Sequence, residues 1–160
     1  MLKLLSDRTE DIARFRAAPW PFQRTFMTPS NELHRFVSTV LAPFSLEKGS
    51  LSTDEVVFDP QVLLELMAKN SIKVENHWIL NLAVEGHQGI AELIESALSD
   101  PVDFVFVSTP ELFAIYGDHD GYTTFYTPHE ATLFNLISEL ESAGFESVEY
   151  TRGSSAGRWR

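Results

Sequence analysis

Gly117-Asp118-His119-Asp120-Gly121 sets an imidazole between two carboxylates, and His129 and Glu130 follow shortly after. Histidine with carboxylates suits several divalent ions, and the same groups can move protons as a general acid and base. Calcium binding of the EF-hand kind is excluded by spacing. With Gly121 in that loop's glycine position, Tyr116 falls on the first ligand and Thr127 on the last, and neither is a carboxylate. Asp120-Gly121 is also a strong hairpin signal, so Asp118 and His119 can be polar simply because they lie at a turn's rim. No metal, no cofactor and no catalytic residue is assigned on this pattern. His77 opens a strand pattern, His87 opens a helix, and His34 lies among helical core positions on an exposed side. Cysteine is absent, which rules out thiol catalysis, cysteine–zinc sites and disulfides.

The charge is segregated along the chain. The whole sequence has 12 Lys+Arg against 23 Asp+Glu, a formal net charge of −11. Residues 1–73 are balanced. Val74 to Thr151 hold 14 of the carboxylates and no Lys or Arg, and Arg152, Arg158 and Arg160 close the chain. A nucleic-acid-binding face presents a basic patch, so direct binding to DNA or RNA is not expected. A single-sign field costs compactness through self-repulsion. It serves solubility, or it matches a basic partner, where complementary charge speeds encounter and suppresses wrong partners.

These groups must be positioned by the elements around them. Ser6 to Ala17 has a helix pattern, with Ser6 as a cap and Ile12 and Phe15 on one side. Phe22 to Met27 forms an extended connection. Thr28-Pro29 starts a second helix to Leu41, Ser45 to Asp54 is a polar surface loop, and Val56 to Phe58 is at most a short strand. Asp59-Pro60 starts a third helix with Val62, Leu63, Leu66 and Met67 buried. His77 to Val84 is a buried strand. Ile90 to Leu98 is an amphipathic helix, and Asp103 to Ser108 is a strand. Leu112 to Asp118 and Tyr122 to Thr127 form a hairpin. Thr127-Pro128-His129-Glu130 is a capping box leading into a last helix, Gly144 is its C-terminal cap, and Glu146 to Thr151 is a final strand.

The predicted order is three helices, then strand-helix-strand-strand-strand-helix-strand. It implies one α+β domain over 1–151, with 1–73 mainly helical, 74–151 the acidic strand and helix part, and 152–160 a flexible tail carrying Trp159. The sheet is expected to be mostly antiparallel and mixed, of about five strands, and covered by helices. Met1 to Leu5 is too short an apolar run for a signal peptide, and no window reaches the ~18 apolar residues of a membrane span. A cytoplasmic protein with no membrane contact is expected.

The hairpin carries the binding candidates. A two-residue Asp120-Gly121 loop would pair His119 with Tyr122, Gly117 with Thr124 and Ile115 with Tyr126 on one face, leaving Tyr116, Asp118, Thr123 and Phe125 on the other. Tyr116 and Tyr126 are expected to pack under helices. Asp118, His119, Asp120 and Tyr122 would form an exposed tip suited to protein contact, since tyrosine brings contact area at low entropy cost. Glu92 and Glu95, on the amphipathic helix, are a second candidate face.

Ile115-Tyr-Gly-Asp-His-Asp-Gly-Tyr-Thr-Thr-Phe125, followed by a helix ending Glu141-Ser-Ala-Gly-Phe145, resembles the C-terminal part of small bacterial toxin-immunity proteins, including those of contact-dependent growth inhibition. The resemblance covers about a third of the chain. It implies a cytoplasmic acidic inhibitor that binds and blocks a cognate basic toxin domain, often a nuclease. Two alternatives stay open: a small metal-dependent hydrolase using Asp118, His119 and Asp120, and a regulatory module that binds another protein.

Overall fold

The computed structural model describes residues 1–17, 19–54, 59–74 and 79–149. Its elements are β1 (Leu2–Leu5), α1 (Glu10–Ala17), β2 (Phe22–Met27), α2 (Leu33–Leu41), β3 (Lys48–Thr53), α3 (Gln61–Lys69), β4 (Asn81–Glu85), α4 (His87–Ser99), β5 (Phe104–Thr109), β6 (Ala114–Asp118), β7 (Tyr122–Thr127), α5 (Glu130–Ser142) and β8 (Ser147–Val148). The strands form one open sheet in the order β1-β4-β3-β5-β6-β7-β2-β8, and every pairing is antiparallel. The α+β class with helices over an antiparallel sheet agrees with expectation. The strand number does not: there are eight rather than about five, and the sheet is not mixed.

The three additional strands all come from residues 1–73, where helices were expected to dominate. β1 is the short apolar run before Ser6. β2 takes the place of the extended connection, and β3 takes the place of the polar loop. β3 reads Lys-Gly-Ser-Leu-Ser-Thr, with too little apolar content to signal a strand. Its neighbours supply what its composition lacks: Ser50, Leu51, Ser52 and Thr53 are all buried. Ser50 Oγ lies 2.8 Å from Thr9 Oγ1, and Ser52 Oγ donates to Asn81 Oδ1 at 2.6 Å. The strand expected at Val56 to Phe58, the start of the strand expected at His77, and Trp159 lie outside the described residues.

β4-α4-β5 and β7-α5-β8 are the two strand-helix-strand units anticipated from sequence. In each, the strands run parallel but are not neighbours. β3 lies between β4 and β5, and β2 lies between β7 and β8. The N-terminal part is thus threaded through the sheet of the acidic part.

Side-chain alternation divides the core between two faces. Phe26, Leu51, Leu82, Val84, Phe104, Phe106, Ile115 and Phe125 face α2, α3, α4 and α5. Val105, Val107, Ala114, Tyr116 and Tyr126 face α1 through Ile12 and Phe15, with Trp20 beside them. No described helix is long and apolar enough to cross a membrane. α3 begins without a side-chain cap of its own. Asp100, at the far end of α4, supplies one: its two carboxylate oxygens accept the Val62 and Leu63 N–H groups at 3.0 and 2.8 Å. Burial raises the Asp100 pKa, while those two hydrogen bonds pull it back.

Two glycines make room for the rings of β5. Gly117 pairs with Phe104 across β6 and β5, and a Cβ on Gly117 would stand 2.2 Å from that ring. A Cβ on Gly49 of β3 would stand 2.3 Å from the Phe106 ring. Gly117 therefore belongs to the core packing and not to the rim of the turn. A buried Phe contributes about 1.5–3 kcal/mol relative to exposure, so displacing these rings is costly. Gly117→Ala should lower unfolding stability in urea by about 1–3 kcal/mol through overpacking. Trimming the ring with Phe104→Leu in the same chain should recover part of that loss relative to the sum of the two single changes. An unchanged midpoint for Gly117→Ala would show that the ring has room to move.

Candidate functional site

The tip between β6 and β7 is built by backbone donors meeting carboxylates. Asp118 pairs with Tyr122, so the loop is His119-Asp120-Gly121, one residue longer than the two-residue loop expected. Gly121 takes a φ of +91°, the conformation that a three-residue hairpin of this kind assigns to glycine. Its N–H donates to the Asp118 carbonyl at 3.1 Å, and its carbonyl accepts from Thr28 N–H at 2.9 Å. Asp118 Oδ1 accepts from Asp120 N–H at 2.8 Å, an Asx-type bond that closes the turn.

The extra loop residue shifts the pairing by one, and one residue moves side chains to the other face. Tyr116, Asp118, Tyr122, Thr124 and Tyr126 share the α1 face; Ile115, Gly117, Thr123 and Phe125 share the other. Tyr116 and Tyr126 are buried, as expected, and Tyr126 meets Phe15 edge-on with centroids 5.1 Å apart.

Asp103, immediately before β5, organises the tip. Phe104 pairs with Gly117, which sets Asp103 alongside Asp118. Asp103 Oδ1 accepts from His119 N–H at 2.8 Å and from the His119 ring at Nδ1 at 2.7 Å. A carboxylate only accepts, so the proton of the second bond sits on Nδ1. Asp118 Oδ1 is 3.6 Å from Nδ1, and Asp120 Oδ1 is 3.4 Å from Nε2. One imidazole thus faces three carboxylates. Its pKa is raised above the ordinary histidine value, chiefly by the hydrogen bond to Asp103, with the charges of Asp103, Asp120 and Asp118 adding to it and partial burial opposing it.

The four expected contact residues do come together, but they are not equally exposed. The Asp118 side chain is only 7% exposed and that of His119 is 52% exposed; Tyr122 is half-buried and Asp120 exposed. The uniformly exposed tip is corrected on that point, because Asp118 closes the turn that carries it. Glu92 and Glu95 lie elsewhere. They sit on α4, across the sheet from the face of Asp118 and Tyr122. Glu92 accepts from Gln88 at 3.2 Å, and Glu95 lies 3.2 Å from His34 Nδ1 on α2. Asp103 carried no signal in sequence beyond a polar residue at a strand start; only the pairing of β5 with β6 brings it to the tip.

Chemically, the cluster holds a proton. The group against the outer ring nitrogen is a carboxylate and not a hydroxyl, which does not make a nucleophile–base pair. Asp103, Asp118 and His119 each offer a ligand atom, all within 4.8 Å of one another, but a cation there would have to displace the Nδ1 proton from its bond to Asp103. No family model, characterised protein or solved structure matches the chain.

Two outcomes follow from this geometry. His119 binds its proton more tightly folded than unfolded, where its pKa is about 6.5. The cluster therefore adds stability that is complete below about pH 6.5 and fades as pH rises through the raised folded value. In Asp103→Asn, the His119 ring resonances should titrate nearer the ordinary value. Stability at mildly acidic pH should drop by about 1 kcal/mol, discounted for the ring's exposure, and the gap to the parent should narrow at alkaline pH. An unshifted titration would sever the link between the two residues. Separately, thermal unfolding with and without a strong chelator should coincide, and a large fall in midpoint with chelator would establish a structural metal.

Proposed function

We propose that this chain is an acidic immunity-type inhibitor that binds a basic protein toxin domain and blocks it by direct contact. The observation that carries the proposal is how the charges are paired. Arg14 pairs with Glu10 and Asp11, Arg16 with Asp54, and Arg35 with Glu32. The carboxylates that these three arginines pair with all lie in the first 54 residues, and none belongs to the acidic stretch. Glu85, Glu92, Asp120, Glu130, Glu139, Glu141, Glu146 and Glu149 are all exposed. Such a field attracts a cationic partner over about a Debye length, ~8–10 Å at ordinary salt, and raises the rate of encounter.

A second proposal, a metal-dependent hydrolase, is favoured by one observation, the grouping of Asp103, Asp118 and His119. Stoichiometric divalent metal in the purified protein would support it over inhibition.

Two measurements test the inhibitor proposal. Cells expressing a cognate toxin domain should survive when the chain is co-expressed and die when it is not. The association rate of the purified pair should fall on the order of tenfold or more between low and physiological salt. A rate indifferent to salt would remove the electrostatic basis.

A further inference from the structure

α5 carries an aromatic ring on its solvent-facing side. Its buried stripe is Leu133, Leu136 and Leu140. Phe134 points away from that stripe and is 67% exposed, the most exposed Phe, Tyr or Trp among the described residues. Glu130, Phe134 and Glu141 stand at i, i+4 and i+11, which places them along one line of the helix. The line is about 16 Å long at 1.5 Å per residue, with a carboxylate at each end and the ring between.

α5 carries Glu130 in its first turn, where the macrodipole favours it, but its far end is not matched in the same way. It has no basic residue in its last turn, and Glu139 and Glu141 stand near its C-terminus, where the macrodipole disfavours negative charge. Compensation comes from another element: Arg35 of α2 donates to the Ala143 carbonyl at 2.6 Å and lies 4.3 Å above the Phe145 ring. No described Lys or Arg forms an ion pair with Glu130 or Glu141. An exposed ring, and a Glu141 without an ion pair at the end that repels it, are poor choices for stability alone.

We propose that the outer face of α5, through Glu130, Phe134 and Glu141, is the docking surface for the basic partner. The occupant is a cationic protein segment that presents an apolar side chain between two arginines or lysines at matching separation. The apolar side chain covers Phe134, and the two cations meet the two carboxylates. This inference rests on the inhibitor proposal above and moves its contact surface from the β6–β7 tip to α5. Glu130 and Glu141 are exposed and form no ion pair with a described Lys or Arg, whereas Asp103 and Asp118 are occupied in holding the tip.

The full chain is titrated with a synthetic helical peptide that carries two arginines flanking a leucine at the spacing of Glu130, Phe134 and Glu141, and binding is followed by backbone NMR shifts. Shifts should concentrate on α5. Phe134→Ala should weaken binding about tenfold, as loss of an aromatic anchor does. The double variant Glu130→Lys with Glu141→Lys should lose the arginine peptide and gain a peptide with glutamates in place of the arginines. That swap keeps the test sharp even if a single change disturbs the helix, and an unchanged thermal midpoint shows that the fold is intact. Shifts confined to residues 118–122, or affinity indifferent to Phe134→Ala, would overturn the α5 surface and leave the inhibitor proposal standing. No binding of the cationic peptide anywhere on the chain would likewise overturn the α5 surface, whereas the inhibitor proposal falls only if co-expression fails to protect cells.

Discussion

The fold depends on the insertion of β3 between β4 and β5. A strand's N–H and C=O groups need partners on both sides once it is buried, and β5 is buried along almost its whole length. β6 satisfies one edge of β5 and β3 satisfies the other. Remove β3, and the acidic part loses the continuity of its sheet: β4 and β5 run parallel with a gap between them. β2 plays the same part between β7 and β8. The balanced first part and the acidic second part therefore share one sheet, although their compositions differ sharply. The long sequence separation of these pairings also raises the entropy cost of bringing the strands together.

This interleaving decides which carboxylates are available for anything else. Asp100 caps α3 from the end of α4, Asp103 holds the turn at His119, Asp118 closes that turn, and Glu111 accepts the Ser45 N–H at 3.0 Å. In each case a negative group accepts from a backbone donor and fixes the segment that carries it. Part of the acidity that looks in sequence like a binding device is scaffolding. The self-repulsion of the remainder has no such return within the fold, and this makes the remainder the informative part.

The legible features were those with local causes. The hairpin followed from Asp120-Gly121, α5 from the helical spacing of Leu133, Leu136 and Leu140, and the buried strands from unbroken apolar runs such as Phe104 to Val107. The expected capping box does not form, because α5 starts at Glu130 behind His129 and without a side-chain cap. β3 was illegible because its burial comes from neighbours: Ser50 and Ser52 are stable inside only through Thr9 and Asn81. The register of the hairpin was illegible for a related reason. Gly121 is equally at home in a two- or three-residue loop, and the choice is made by Asp103 and Thr28, which hold His119 and Gly121 from distant segments. The site residues Asp118, His119, Asp120 and Tyr122 were found together because they are contiguous. Asp103 was missed because its role exists only in three dimensions.

The same distinction separates the two acidic surfaces as binding elements. The Asp103 carboxylate already accepts two hydrogen bonds from His119 at one oxygen, which fixes its orientation and leaves it less acceptor capacity for a partner's cation. The exposed glutamates of α5 exchange only water. Phe134 adds apolar area worth about 25 cal/mol for each Å² covered, and carboxylates at either end of the line orient whatever covers it. Charge at the tip is largely committed to shaping the hairpin; Glu139 and Glu141 of α5 are held in solution, near the helix end whose dipole opposes them. A cationic partner that neutralises Glu141 removes that opposition as it binds, so docking and helix stability would be coupled in the same direction.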